Sequence, residues 1–178
     1  MHEKASPALQ ALHQGIQTEL QGLTFYHKAA GQTRDPLGKQ VLLSLAHEEV
    51  GHLRLLKVQY GALATDGHWV DMEKARELEP GREVEQIFPQ ADDTLVKLLP
   101  AQADDTKALE IALEFERKGY QLYQRLAKDT ADPAGRALYE FLGQQEQRHY
   151  DFIQRALEYL QTQGAWYHDE KELPMFEG

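Results

Sequence analysis

The chain contains no cysteine. That excludes disulfides, thiolate-bound zinc and a rubredoxin-type iron centre within these 178 residues, so any metal must rest on oxygen and nitrogen donors. Long apolar runs are missing as well: nothing approaches the roughly 20 residues that a membrane-spanning helix needs. The opening segment MHEKASPALQ has neither the basic start nor the apolar core of a secretory signal. A soluble, cytoplasmic protein with no membrane partner is the expectation. Nor is there a basic excess. The formal net charge is −10 and the Lys and Arg residues are scattered, which argues against a nucleic-acid footprint and reads as a solvated surface. Strand-prone residues are sparse and no period-two segment persists, so no sheet is expected.

What the chain does have is an internal repeat. Glu19, Glu49 and His52 recur as Glu116, Glu146 and His149 at a constant offset of 97. The same offset pairs Tyr26 with Tyr123, Gly22 with Gly119, Ala30 with Ala127, Thr33 with Thr130, Asp35-Pro36 with Asp132-Pro133, Gly38 with Gly135 and Leu45 with Leu142. The sequence holds only two Glu-x-x-His pairs, and both lie in the register of the repeat.

Hydrophobic spacing places these residues on helices. Leu9, Leu12, Ile16, Leu20, Leu23, Tyr26 and Ala30 define an amphipathic helix over about 8 to 31. Asp35 is placed as an N-cap with Pro36 at the first helical position, and an inward stripe then runs from Val41 through Glu49 and His52 toward Tyr60. Gly61, Gly67, Pro80, Gly81, Pro89 and Pro100 punctuate residues 61 to 104, which read as a long crossover with a short helix around Val70 to Leu78. A second hairpin follows over about 105 to 163, turning at Asp132-Pro133 and ending at Gly164, before a short aromatic and acidic tail. Two repeated hairpins joined by one long connection give an all-α, ferritin-like four-helix bundle, expected to be a single domain over 1 to 178.

Residues three apart on a helix share a face, separated by about 4.5 Å of rise, so each Glu-x-x-His pair addresses one metal neighbourhood. Glu19 and Glu116 lie on or beside the apolar faces of the first helix of each hairpin. Four buried carboxylates are costly as bare anions, at several kcal/mol or more each by a rough reckoning. Two divalent cations would cancel their charge. The hard, oxygen-rich donor set suits iron first, with manganese an alternative at one or both positions. Glu49 and Glu146 are expected to bridge the metals, Glu19 and His52 to complete one position, and Glu116 and His149 the other.

A Glu followed seven residues later by Tyr, an Asp-Pro turn and then Glu-x-x-His, all repeated, resembles the rubrerythrin branch of the ferritin-like di-iron carboxylate superfamily over residues 8 to 160. The resemblance implies a bridged di-iron centre that reacts with hydrogen peroxide or dioxygen, frequently in a homodimer. There are two departures. Rubrerythrins typically append a cysteine-ligated rubredoxin domain, whereas this chain has no cysteine and ends too early for one, which implies an external electron donor such as a rubredoxin-type protein. Rubrerythrins also commonly carry a seventh carboxylate three residues after the glutamate of the third helix; that position is Gly119 here, and its repeat mate is Gly22. This weakens the assignment as a peroxidase. The paired glycines either open space for a small oxidant or allow close helix packing.

Tyr26 and Tyr123 sit two turns from Glu19 and Glu116, and two readings are open for them. They either hydrogen-bond carboxylates near the metals or supply a nearby electron, or else are ordinary core tyrosines. His2, His13, His27, His47, His68 and His168 have no mate in the repeat and read as surface or structural. Trp69, Phe88, Trp166 and Tyr167 are expected to cover the bundle or a dimer interface rather than bind a cofactor. The functional expectation is a di-iron oxidoreductase that reduces peroxide. The alternatives are a ferroxidase or iron-handling protein, and a non-catalytic helical interaction protein. No feature specifies a pocket for an organic substrate.

Overall fold

The computed structural model describes residues 6–167. Helix α1 (Pro7–Gln32) and α2 (Pro36–Asp66) form the first hairpin, α5 (Asp105–Asp129) and α6 (Pro133–Gln163) the second. Between them the crossover holds α3 (Met72–Arg76), α4 (Arg82–Ile87) and a 3₁₀ turn (Val96–Leu98). No strand occurs among the described residues, and no described helix is long and apolar enough to cross a membrane.

The hairpin turns are built as the repeat requires. Asp35 Oδ1 accepts from Leu37 N at 2.8 Å and Gly38 N at 3.1 Å, and Asp132 Oδ1 accepts from Ala134 N at 2.8 Å and Gly135 N at 3.3 Å. Each aspartate satisfies two amides that the helix start leaves without partners, while the following proline has no amide to satisfy.

α2 runs past Tyr60 and through Gly61, where the sequence pattern suggested an end. A glycine inside a helix costs only about 1 kcal/mol. Here it is also needed for space, since a Cβ on Gly61 would come within 3.0 Å of Val84 Cγ2 on α4. The helix stops instead at Gly67, whose left-handed conformation (φ 71°) lets its amide reach Leu63 O. Gly164 ends α6 in the same way at φ 66°.

α2 also anchors the crossover. Arg54 donates to the carbonyls of Arg76 at 3.0 Å and Leu78 at 2.8 Å, buried Gln59 pairs with both backbone groups of Val70, and Lys57 meets Glu85 at 2.8 Å. Farther along, Asp92 N donates to Thr24 Oγ1 on α1. The crossover is thereby tied to the first hairpin, and it contributes α4 as a helix that the punctuation of the sequence did not reveal.

The aromatic residues at the chain turns cover the bundle reciprocally. Trp69, just past α2, packs on Gly135 of α6, while Trp166, just past α6, packs on Gly38 of α2 and donates from Nε1 to Asp105 at 2.8 Å. These tryptophans, like Gly67 and Gly164, are themselves separated by the repeat offset. Phe88 packs against Tyr60 and His13. The apolar interior forms two clusters, one around Phe25, Leu45, Leu109 and Ile153 and one around Ile16, Leu56, Tyr123 and Leu138. Along every long helix the polar residues of the repeat lie between them.

Candidate metal centre

Glu19 of α1, Glu49 and His52 of α2, Glu116 of α5 and Glu146 and His149 of α6 meet in this band between the clusters, none more than 4% exposed. Their donor atoms form two overlapping sets. Glu19, Glu49, His52 and Glu146 each offer an atom within 4.8 Å of the others, and so do Glu49, Glu116, Glu146 and His149. Glu49 and Glu146 belong to both. The stacked imidazoles lie 5.7 Å apart, each turning Nδ1 inward: His52 Nδ1 is 3.1 Å from Glu19 and 3.7 Å from Glu49, and His149 Nδ1 is 3.4 Å from Glu116 and 3.5 Å from Glu49.

Both tyrosines reach across the bundle rather than along their own helix. The Tyr26 hydroxyl donates to Glu116 Oε1, and the Tyr123 hydroxyl donates to Glu19 Oε1. Of the two readings open for these residues, hydrogen bonding to carboxylates is the arrangement found. The paired glycines resolve equally clearly. A Cβ on Gly119 would collide with Glu146 Oε2, and one on Gly22 would meet Phe115 Cε1 at 2.8 Å and Glu49 Cδ at 3.3 Å. Gly119 makes room for Glu146, whereas Gly22 makes room chiefly for the Phe115 ring, with Glu49 next to it.

Ionisation inside the band is strongly skewed. Burial and the charge of Glu19 push the Glu49 carboxyl up to about 8. Burial and the charges of Glu116, Glu19 and Glu49 drive Glu146 well above the usual range. Burial opposes ionisation of Glu19 too, but Glu49, His52 and Tyr123 together draw it down to about 2. Against burial, Glu19 raises His52 to about 10, and Glu116 and its neighbours raise His149 well above normal. Burial, then adjacent carboxylate charge, keeps both tyrosines protonated. The band holds its excess negative charge only by retaining protons.

Among the described residues seven buried side-chain atoms lack a hydrogen-bond partner, and six of them lie in this band: both oxygens of Glu49, both of Glu146, Glu116 Oε2 and His149 Nδ1, the seventh being the Tyr139 hydroxyl. Leaving one such group unsatisfied costs about 1–3 kcal/mol, so their concentration in one volume points to a bound group that satisfies them together. The donors are those that iron or manganese takes, and the group fits a pair of divalent ions. Sequence reasoning missed one member of the surroundings. Glu48 Oε2 lies 2.5 Å from His149 Nε2, on the side of the ring away from the cluster. Burial works against its anion, but the His149 hydrogen bond and charge hold the carboxyl below its usual range. Its repeat mate is Gln145, so the repeat offered no signal for it.

His13, His27, His47 and His68 are exposed, as expected of histidines without mates; His2 and His168 lie outside the described residues.

Two hairpins that each bring one glutamate from the first helix and a Glu-x-x-His pair from the second into a shared buried band define a ferritin-like carboxylate protein. The fold is similar to that of a hypothetical protein from Pyrococcus furiosus, with a TM-score of 0.63, 21% sequence identity, and coverage of 90% of this chain and 93% of that one. The family model for rubrerythrin matches residues 10–157, and the chain belongs to the rubrerythrin family. No curated protein matches it.

Proposed function

We propose that the protein is a non-haem di-iron oxidoreductase that reduces hydrogen peroxide with electrons from an external carrier. The convergence of Glu19, Glu49, His52, Glu116, Glu146 and His149 into two donor sets sharing two glutamates carries this reading. Glu49 and Glu146, common to both donor sets, would be shared by the two ions, Glu19 with His52 would complete one position, and Glu116 with His149 the other. Iron bound there would supply two electrons, one from each ferrous ion, which with two protons reduce peroxide to two waters, and manganese suits the same donors.

The chain's own residues hold and orient. Tyr123 and Tyr26 fix the Glu19 and Glu116 carboxylates through one oxygen each, and the other oxygen faces the histidine of the same donor set, 3.1 Å from His52 Nδ1 for Glu19 and 3.4 Å from His149 Nδ1 for Glu116. Glu49, Glu146 and the histidines give up their retained protons as cations enter. The flanking apolar clusters exclude bulk water. A cleft of about 280 Å³ lies between α1, α2 and the crossover, lined by Leu20, Leu23, Leu53, Lys57 and Glu85 among others, and none of the six metal-centre residues lines it.

Deep burial of all six residues favours ions that stay bound over a ferroxidase that passes iron on. Without cysteine, the chain depends on a separate donor, such as a rubredoxin-type protein. A homodimer is part of the proposal, because Leu43 and Val50, two turns apart on α2, are 40% and 47% exposed and offer apolar surface to a second copy. Anaerobic diferrous protein mixed with peroxide or dioxygen in a stopped-flow instrument tests the reading. Peroxide should oxidise two irons per chain far faster than dioxygen does, with no further turnover of added ferrous iron. Faster reaction with dioxygen, with continued oxidation of excess iron, would make the protein a ferroxidase instead.

A further inference from the structure

We propose that Glu48 makes the two metal positions unequal, so that the position served by His149 fills first and holds its ion more tightly than the one served by His52. The inference rests on the two-metal reading above. The six inward residues are matched one for one by the repeat, yet the groups behind the two imidazoles are not. Behind His149, the Glu48 carboxylate lies 2.5 Å from Nε2. The residue at the equivalent place in the other hairpin is Gln145, which is turned to Arg148 and accepts from its Nη1 at 3.1 Å. The ring of His52 instead meets Phe141 edge-on, with centroids 6.3 Å apart, and the Arg76 guanidinium lies 4.8 Å over that same phenyl ring. Phe141 is the repeat mate of Ser44, a small buried residue whose hydroxyl is occupied by Gln40 O. One histidine is thus backed by an anion, the other by an aromatic ring carrying a cation on its face.

The chemical consequence follows from how an imidazole divides its two nitrogens. A carboxylate accepting from Nε2–H fixes the hydrogen there, leaves the Nδ1 lone pair facing the metal position, and strengthens that nitrogen as a donor. His149 Nδ1 has no hydrogen-bond partner and faces Glu49 and Glu116. The carboxylate also locks the ring's orientation, so less freedom is lost when an ion binds. Glu48 is a positioning residue: it acts on the ion only through His149.

Cobalt(II) is the probe, because its visible bands report each ion's coordination without redox turnover. Metal-free wild-type protein titrated with cobalt should show two resolved steps. E48Q keeps the size of the side chain and removes the anion, and it should weaken the first step by about 10–100-fold while leaving the second in place. In the singly loaded wild-type protein, proton NMR should show one strongly shifted, slowly exchanging N–H, the Nε2–H of His149. In E48Q that signal should exchange faster, whereas E48D, which retains the anion, should keep it. Should E48Q fold poorly, the wild-type titration and its N–H signal decide alone. Two steps of equal affinity in the wild type, or equal weakening of both steps in E48Q, would overturn the inference while leaving the two-metal reading standing. Failure of wild-type protein to bind cobalt would overturn both.

Discussion

Replacing Gly119 by alanine should move the metal-free and metal-loaded proteins in opposite directions. A methyl group there would strike Glu146 Oε2 and stand 3.2 Å from its Cδ. In the metal-free protein the carboxylate sits at the end of a flexible side chain, and neither of its oxygens has a hydrogen-bond partner to lose. It can swing aside, so the gain from alanine over glycine in a helix interior, about 1 kcal/mol, should appear as added stability. With metals bound, the same displacement removes a carboxylate common to both donor sets. A tenfold loss of affinity is worth about 1.4 kcal/mol, so a tenfold loss at each of two ions lowers the metal-dependent stabilisation by about 3 kcal/mol. Urea denaturation with and without saturating ferrous iron under argon measures both. Gly22→Ala is the contrast: its methyl meets the Phe115 ring at 2.8 Å, so both forms should lose about 1–3 kcal/mol to overpacking. A Gly119→Ala protein whose loaded and metal-free forms gain equally would refute the idea that this glycine exists to seat Glu146.

Removing the tyrosine hydroxyls gives a second test: Y26F and Y123F each leave a buried carboxylate oxygen without its donor. Each should lower metal-free stability by about 1–3 kcal/mol without changing metal stoichiometry, whereas ordinary core tyrosines would tolerate the change nearly neutrally. A third concerns pH. In the folded, metal-free protein Glu49 rises from 4.5 to about 8 and His52 from 6.5 to about 10, so both bind protons more tightly than in the unfolded chain. Their stabilisation is complete below the unfolded values and is lost as pH climbs through the folded ones. Glu19, drawn down to about 2, does the reverse, contributing above 4.5 and losing that contribution as pH falls through 2. Chemical denaturation of metal-free protein should therefore show stability declining from about pH 5 to about pH 10, while metal affinity strengthens over the same range because the ligands shed protons. A metal-free protein that gains stability on going from neutral to alkaline pH would contradict the charge pattern of the band.

Much of this architecture was legible because the repeat supplied its own control. Asp35-Pro36 and Asp132-Pro133 mark both turns through local chemistry that does not depend on the rest of the fold. The six inward residues stood out because an ionisable residue on an apolar face needs a reason, and six in register need a common one. The features that escaped were of two kinds. Some depend on contacts between distant elements: Gly61 reads as a helix end until Val84 is seen against it, and Gly119 as either open space or close helix packing until Glu146 is seen against it. Trp69 and Trp166 do lie at the repeat offset, but each acts on the opposite hairpin, which spacing along the chain does not disclose. Glu48 escaped for the contrary reason. It is unmatched in the repeat, and its partner is on α6, so the same symmetry that exposed the metal residues concealed the one that distinguishes them.

The most direct measurement is the iron content of purified protein loaded anaerobically, read by elemental analysis and Mössbauer spectroscopy, beside Glu146→Ala. Two ferrous ions per chain in nitrogen- and oxygen-rich surroundings, with both weakened by the single loss of Glu146, is the expected result. A single ion, or a pair whose binding is indifferent to Glu146, would contradict a centre in which the two positions share that carboxylate.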